Sequence, residues 1–361
     1  MNIEKYLVLN NYLLSLFGAS EFKDLQKDLA EKSVGYDSEE RSYFINVLKS
    51  LDGLKRNILP EEKLLGYDEN IRDYLKKINT RREPKVLLKY FQYLAVLFTE
   101  IYLDELKNRK PELLASLNMF LTEYGREHDL GGWISEFIEG DLSKIAFWMA
   151  TGSGKTLLLH INYHQFLRYK IFSPDNMILI TPNEGLSKQH CEELQKSGVP
   201  CRLYGGSLSD ISGHLREEGI LIIEMTKLVE EKKGGGVTIP VEVFEGKNLL
   251  FVDEGHKGKK SEEQKWAKLR NKLADKGFVF EYSATFGQIL SEANTQTLEE
   301  YGKAIILDYS YKYFYLDGHG KDFSVLNVRP GGVGTEQFQE TMFIANLLAF
   351  YQQIRVYEEH T

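Results

Sequence analysis

Residues 144–170 read Lys144-Ile-Ala-Phe-Trp-Met-Ala150, then Thr151-Gly-Ser-Gly-Lys-Thr156, then Leu157-Leu-Leu-His-Ile-Asn-Tyr-His-Gln-Phe-Leu-Arg-Tyr-Lys170. An apolar run, an abrupt glycine-rich turn and an amphipathic stretch, in that order, predict a strand, a phosphate-binding loop and a helix. The glycines let the backbone wrap closely with its N–H groups pointing inward, the helix start adds a positive dipole end, and Lys155 is placed to reach outer phosphates. Thr156 is placed to hold Mg²⁺ through its hydroxyl. The loop set is therefore Thr151, Gly152, Ser153, Gly154, Lys155 and Thr156. The strict pattern, Gly-x-x-x-x-Gly-Lys-Ser/Thr, wants glycine where Met149 stands. An ordinary strand-turn-helix would use the glycines but has no packing reason for a Lys-Thr pair at the helix start.

Downstream, apolar strand-like runs alternate with polar helices, which predicts a mostly parallel sheet covered on both faces. Asn176 to Asn183 reads as a strand and Glu184 to Lys196 as its helix; 199–204 and 219–224 are further candidate strands. Lys232-Lys-Gly-Gly-Gly236 is a loop by composition. Lys247-Asn-Leu-Leu-Phe-Val-Asp253-Glu254-Gly255-His256 reads as a buried-looking strand that delivers Asp253 and Glu254 at its carboxyl end, and a charged helix from Ser261 to about Lys276 follows. The next strand, from Gly277, ends in Ser283-Ala284-Thr285. Open parallel sheets bind ligands beyond the carboxyl ends of their strands, so three separate signals point at one crevice. Residues 303–328 hold two more strand-like runs around a turn at Asp317 to Asp322; Gly331-Gly-Val-Gly334 reads as a linker and Thr341 to Tyr357 as a closing helix.

Upstream, residues 1–130 are helical and charged, with Leu7, Leu13, Leu14 and Phe17 near helical spacing. The strongest helix, Val86 to Leu106, is apolar over much of its surface and is expected at the centre of this region. Its Gln92 reads either as a core-edge glutamine or as a reader of adenine. From Gly131-Gly132 the texture changes, which sets the expected division: a helical N-terminal domain at 1–130, an α/β nucleotide-binding domain at 131–328, and a linker with a helix at 329–361.

A length of 361 residues suffices for two domains with a substantial core, and 42% hydrophobic with 27% charged residues is ordinary for a globular chain. The net charge of −8 argues against a surface wholly devoted to nucleic acid, though it permits a local basic track. Cys191 and Cys201 are too few and wrongly spaced for a disulfide framework or a zinc site, which points to a reducing, cytoplasmic setting. The N-terminus carries Glu4 and Lys5 where a secretory signal would begin its apolar run. Leu87 to Leu103 is interrupted by Lys89, Gln92 and Glu100, too polar to span a bilayer. No membrane association is expected.

An acidic pair at a strand end, well downstream of a phosphate loop, suits nucleotide hydrolysis. Asp253 is placed to share the Mg²⁺ shell with Thr156, and Glu254 to orient and polarise an attacking water. His256 reads equally as a group on the γ-phosphate side or as a surface histidine. Pro174-Asp175 and Glu245-Gly246-Lys247 echo the two halves of a metal-dependent nuclease site, but turn chemistry at strand entrances explains both. A small-molecule kinase would leave Ser283-Ala284-Thr285 and the run after Asp253 without a role.

Thr151 to Thr156, Asp253-Glu254-Gly255-His256 and Ser283-Ala284-Thr285, in that order, resemble motifs I, II and III of superfamily 2 helicases of the DExH kind. The Met149-Ala150 lead-in and the Asp-Glu-Gly-His-Lys-Gly run at 253–258 make the motor (Res) subunit of type III restriction enzymes and related bacterial defence helicases the nearest likeness. The resemblance covers about residues 140–310. It implies a RecA-like P-loop domain, use of ATP with Mg²⁺, catalytic roles for Lys155, Asp253, Glu254 and His256, and coupling through Ser283, Ala284 and Thr285. It implies nucleic acid as partner, DNA favoured over RNA, with Asn183 and Thr226 where motifs Ia and Ib touch the backbone, and a place in a restriction or anti-phage complex with a partner subunit. Lys188, Lys257, Lys259 and Lys260 read as backbone contacts or as solvated helix faces.

Such motors close ATP between two RecA-like domains, the second bringing arginine fingers. Residues 311–361 hold only Arg329 and Arg355 and no Gln-x-x-Gly-Arg-x-x-Arg run. The expectation is a first motor domain from a longer protein, weak or inactive in ATP hydrolysis by itself. The competing expectation is an ATP-dependent switch or assembly module that moves no strand.

Overall fold

The computed structural model describes residues 3–206, 219–230, 237–254, 268–291, 295–320 and 335–360. His256, Lys257, Lys259, Lys260 and the linker at 331–334 lie outside them. The chain forms two compact units, 1–320 and 321–361; the second contains the helix Thr335–His360.

Seven described strands of the first unit form one sheet in which every pairing is parallel. In chain order they are β1 (Lys144–Met149), β2 (Asn176–Thr181), β3 (Cys201–Leu203), β4 (Ile220–Glu224), β7 (Asn248–Asp253), β8 (Phe278–Ser283) and β9 (Ile305–Tyr309), with a two-stranded ribbon β5 (Leu228–Val229) and β6 (Ile239–Pro240) between β4 and β7. The spatial order is β3-β4-β2-β7-β8-β1-β9. β8 thus lies between the strand that feeds the glycine loop and the strand that ends in Asp253.

Period-two alternation explains why these strands read as continuous apolar runs. Met177, Leu179, Ile220, Ile222, Leu249, Phe251, Phe278 and Phe280 point into one core, while Ile178, Ile180, Leu221, Ile223, Leu250, Val252 and Val279 point into another across the sheet. Both faces are buried, as a parallel sheet with helices on both sides requires. The architecture is the α/β, RecA-like one expected.

The N-terminal helices share the first of these cores. They are α1 (Val8–Leu16), α2 (Phe22–Leu29), α3 (Tyr43–Leu48), α4 (Glu61–Ile78), α5 (Tyr90–Asn108) and α6 (Lys110–Glu127). Nearly all of α5 is buried, including Glu100, because α4, α6, β9 and α7 (Lys155–Tyr169) surround it. The buried Glu100 carboxyl accepts from Asn70, Gln165 and Tyr169, which satisfies its oxygens, while burial pushes its pKa above the ordinary carboxylate range. On α1, Asn10 Nδ2 donates to Ile306 O of β9 at 3.2 Å.

The expected strand-like run after residue 303 needs correcting. Ile305–Tyr309 is β9, but the aromatic run Tyr311–Leu316 is a helix. Tyr313 N and Phe314 N both bond Ser310 O, and Tyr313 is buried with its ring 4.8 Å from that of Phe22. Tertiary packing on α2 overrides the strand propensity of the aromatics. The second run, 323–328, lies outside the described residues. No helix among the described residues is long and apolar enough to cross a membrane.

Candidate functional site

The loop after β1 is shaped by two glycines in the left-handed region, Gly152 at φ +83 and Gly154 at φ +97. A Cβ on Gly154 would come within 2.4 Å of Gln92 Nε2, so that position admits no side chain without displacing Gln92. Gly154 is the N-cap of the 15-residue α7, whose first turn has no side-chain cap. Free N–H groups there are donors for an anion, the helix start favours negative charge, and a Cβ built on Gly152 would meet nothing nearer than Phe314 Cζ at 3.9 Å. These features fit the phosphates of a nucleotide.

Gln92, from the buried start of α5, braces the loop: its Nε2 donates to Ser153 O at 2.8 Å, while its Oε1 accepts from Lys89 N. Its core-edge reading agrees with this. Ser153 Oγ closes the turn on Ala150 O at 2.7 Å.

Lys155 Nζ lies 3.3 Å from Glu254 Oε1 and 3.3 Å from Met149 O. The glutamate reaches it because the chain turns sharply after β7: Glu254 holds φ +52, a left-handed value uncommon for a residue with a side chain, and its N–H donates to Tyr282 O. Its carboxylate also accepts from Ser283 Oγ at 3.0 Å and from Ala284 N at 3.1 Å. Thr285 N donates in turn to Ser283 Oγ at 2.9 Å. Three stretches that are far apart in sequence therefore meet through Glu254.

Asp253 closes β7 beside them, buried, with Oδ2 2.8 Å from His190 Nε2. Thr156, partly buried at the start of α7, and Asp253 offer hydroxyl and carboxylate oxygens, the donor set a hard cation such as Mg²⁺ takes.

The other expected contacts lie along the same carboxyl edge without touching this cluster. Asn183 is the N-cap of α8 (Glu184–Lys196), its Oδ1 accepting from Leu186 N at 3.0 Å. Thr226 is exposed in the short turn after β4. Lys188 is exposed and paired with Glu184 at 2.7 Å. At the opposite edge, Asp175 and Lys247 do meet, because β2 and β7 pair. The Asp175 carboxylate is occupied there by Lys247 N at 2.7 Å, as turn chemistry requires.

His190 was not foreseen as a site residue. The buried face of α8, Ser187, His190, Cys191 and Leu194, follows helical spacing and is visible in the sequence, but its alignment with Asp253 comes only from the pairing of β2 with β7.

Residues 124–288 match the family described as type III restriction enzyme, res subunit. That segment is similar to the res-subunit domain of type III restriction enzymes. This res-type segment holds the glycine loop, the Asp253-Glu254 pair and Ser283-Ala284-Thr285, and it places the chain with helicase-like ATPase domains. Among solved structures the chain is similar to UvsW of bacteriophage T4 (TM-score 0.34, 15% identity, 46% of this chain and 31% of that one). It is also similar to the SWI2/SNF2 ATPase core of Sulfolobus solfataricus in complex with dsDNA (TM-score 0.34, 16% identity, 44% and 31%). A third likeness is the Hef helicase domain of Pyrococcus furiosus (TM-score 0.25, 11% identity, 78% and 52%). The chain spans less than two thirds of each of these structures. No curated protein matches it.

Proposed function

We propose that this chain carries the first motor domain of an ATP-dependent DNA helicase or translocase in a restriction-like or anti-phage role. In this reading residues 1–130 form a helical domain bracing the motor, 131–328 the ATP-binding domain, and 329–361 lead to a second motor domain. The observation that carries the reading is the meeting of Lys155, Glu254, Ser283 and Ala284 at adjacent strand ends, next to Asp253 and Thr156. A bound Mg²⁺–ATP would supply the transferable γ-phosphoryl group and the metal charge that neutralises it. The loop N–H groups and Lys155 bind and orient the phosphates, Thr156 and Asp253 hold the metal, and Glu254 accepts a proton from and aligns the attacking water.

For Glu254 to serve a water, its carboxylate must let go of Lys155. Phosphates competing for Lys155 would accomplish that, and Ser283 and Ala284 would keep the carboxylate aimed, which links strand β8 to the state of the nucleotide. DNA is the proposed partner, gripped through its backbone along the edge that carries Asn183 and Thr226, so binding weakens steeply with salt. A partner subunit of a defence complex and a cytoplasmic location complete the proposal.

The test is Mg²⁺-dependent ATP hydrolysis with and without duplex DNA, by the full gene product and by residues 1–361, each as wild type, Lys155→Ala and Glu254→Gln. DNA-stimulated turnover in the full product, lost in both variants and slow or absent in residues 1–361, is expected. ATP binding that DNA leaves unchanged would replace the motor with a nucleotide-dependent switch.

A further inference from the structure

Asp253 is held by a residue that has no place in the motifs. His190 Nε2 stands 2.8 Å from Asp253 Oδ2, both side chains are buried, and among the described residues no other group bonds this carboxylate. His190 rides on α8, the helix that follows β2, and β2 is the direct neighbour of β7, which ends in Asp253.

The other ring nitrogen settles what the imidazole does. Among the described residues His190 Nδ1 is buried without a hydrogen-bond partner. A proton on Nδ1 would leave a buried donor unsatisfied, whereas a proton on Nε2 is donated to Asp253 and leaves only a lone pair at Nδ1. His190 is thus a one-directional donor. It fixes Oδ2 and leaves Oδ1 of Asp253 without a partner among the described residues. A histidine N–H on one carboxylate oxygen, with the second oxygen open, is how an outer partner orients a metal-binding carboxylate.

We propose that His190 is a positioning residue that orients Asp253 toward the Mg²⁺ of bound nucleotide. It touches neither nucleotide nor metal and acts only through Asp253. The proposal rests on the nucleotide-site reading above. The competing role is mere attachment of α8 to the sheet, which would affect stability without regard to metal.

The test measures affinity for a fluorescent N-methylanthraniloyl ATP by titration in EDTA and in Mg²⁺, using the 361-residue chain, His190→Ala, His190→Gln and, as a packing control on the same helix face, Leu194→Ala. Thermal melting accompanies each. The glutamine amide nitrogen can stand where Nε2 stands and keep the donor. His190→Ala is expected to lose roughly tenfold or more of the Mg²⁺-dependent gain in affinity while changing EDTA affinity by less than about twofold. His190→Gln should recover part of the gain, and Leu194→Ala should lower the melting temperature with the gain intact. An unchanged gain in His190→Ala overturns the proposal, as does a His190→Gln that folds yet loses as much as alanine. Should His190→Ala not fold, the glutamine variant against wild type decides. Wild type that binds the analogue in neither condition would defeat the nucleotide reading itself, a result distinct from failure of His190's role.

Discussion

Within β8, Glu281 is paired with Lys144 at 2.8 Å and Arg270 at 3.0 Å and accepts from Tyr301 at 2.8 Å. Two residues further on, Ser283 ends the strand against Glu254, whose cation Lys155 stands 3.3 Å away. Around Glu281 the charges close on themselves: Glu300 pairs with both Lys144 and Arg270 at 2.6 Å, giving two anions for two cations. Burial opposes ionisation of Glu281, but Lys144 and Arg270 outweigh it and hold the carboxyl below its ordinary range. At the strand end the set is open. Among the described residues Lys155 meets one carboxylate and one carbonyl, and Asp253 one histidine. A closed set of buried charges positions strands and helices, and an open one is where a charged ligand can enter.

The largest expected effect comes from breaking the closed set. Glu281→Ala leaves Lys144 and Arg270 buried with one carboxylate between them and should cost about 3–5 kcal/mol by denaturant unfolding. ATP affinity of the protein that remains folded should be unchanged. The sign with pH follows from the lowered pKa: Glu281 stabilises above the unfolded glutamate value, near 4.3, and that contribution is lost as pH falls through the lower folded value. The gap between wild type and Glu281→Ala should therefore begin to narrow as pH falls below about 4.3 and go on narrowing through the lower folded value.

Asp308 sharpens the rule from a third place. It lies buried at the end of β9, accepts from Ser310 N at 2.9 Å and has no salt bridge among the described residues. Burial pushes its carboxyl up to about 7. Because the folded value lies above the unfolded one, its ionisation costs stability fully above pH 7 and not at all below about pH 4. Asp308→Asn keeps an oxygen for Ser310 and should stabilise at pH 8 by an amount on the order of 2 kcal/mol, with no gain below about pH 4. A melting curve of both proteins at the two pH values checks it.

How much of this was legible follows the range of the contacts. The β1-loop-α7 unit, the Asp253-Glu254 strand end and Ser283-Ala284-Thr285 are local patterns of apolar runs, glycines and polar ends, and each sits where the sequence puts it. Their convergence was inferable from the parallel-sheet rule, although the bond from Ser283 to Glu254 was not. Gln92 on Ser153 and His190 on Asp253 join residues 61 and 63 positions apart, through packing that no local pattern encodes. The helix at Tyr311–Leu316 read as strand for the same reason: its partner Phe22 lies near the other end of the chain.

The central claim is that the open set around Lys155 is a nucleotide site. Titration calorimetry of Mg²⁺–ATP into this chain and into Lys155→Ala tests it most directly. The account predicts measurable binding that weakens roughly 10- to 100-fold in the variant, with the melting temperature unchanged. Equal affinity in both proteins would contradict it.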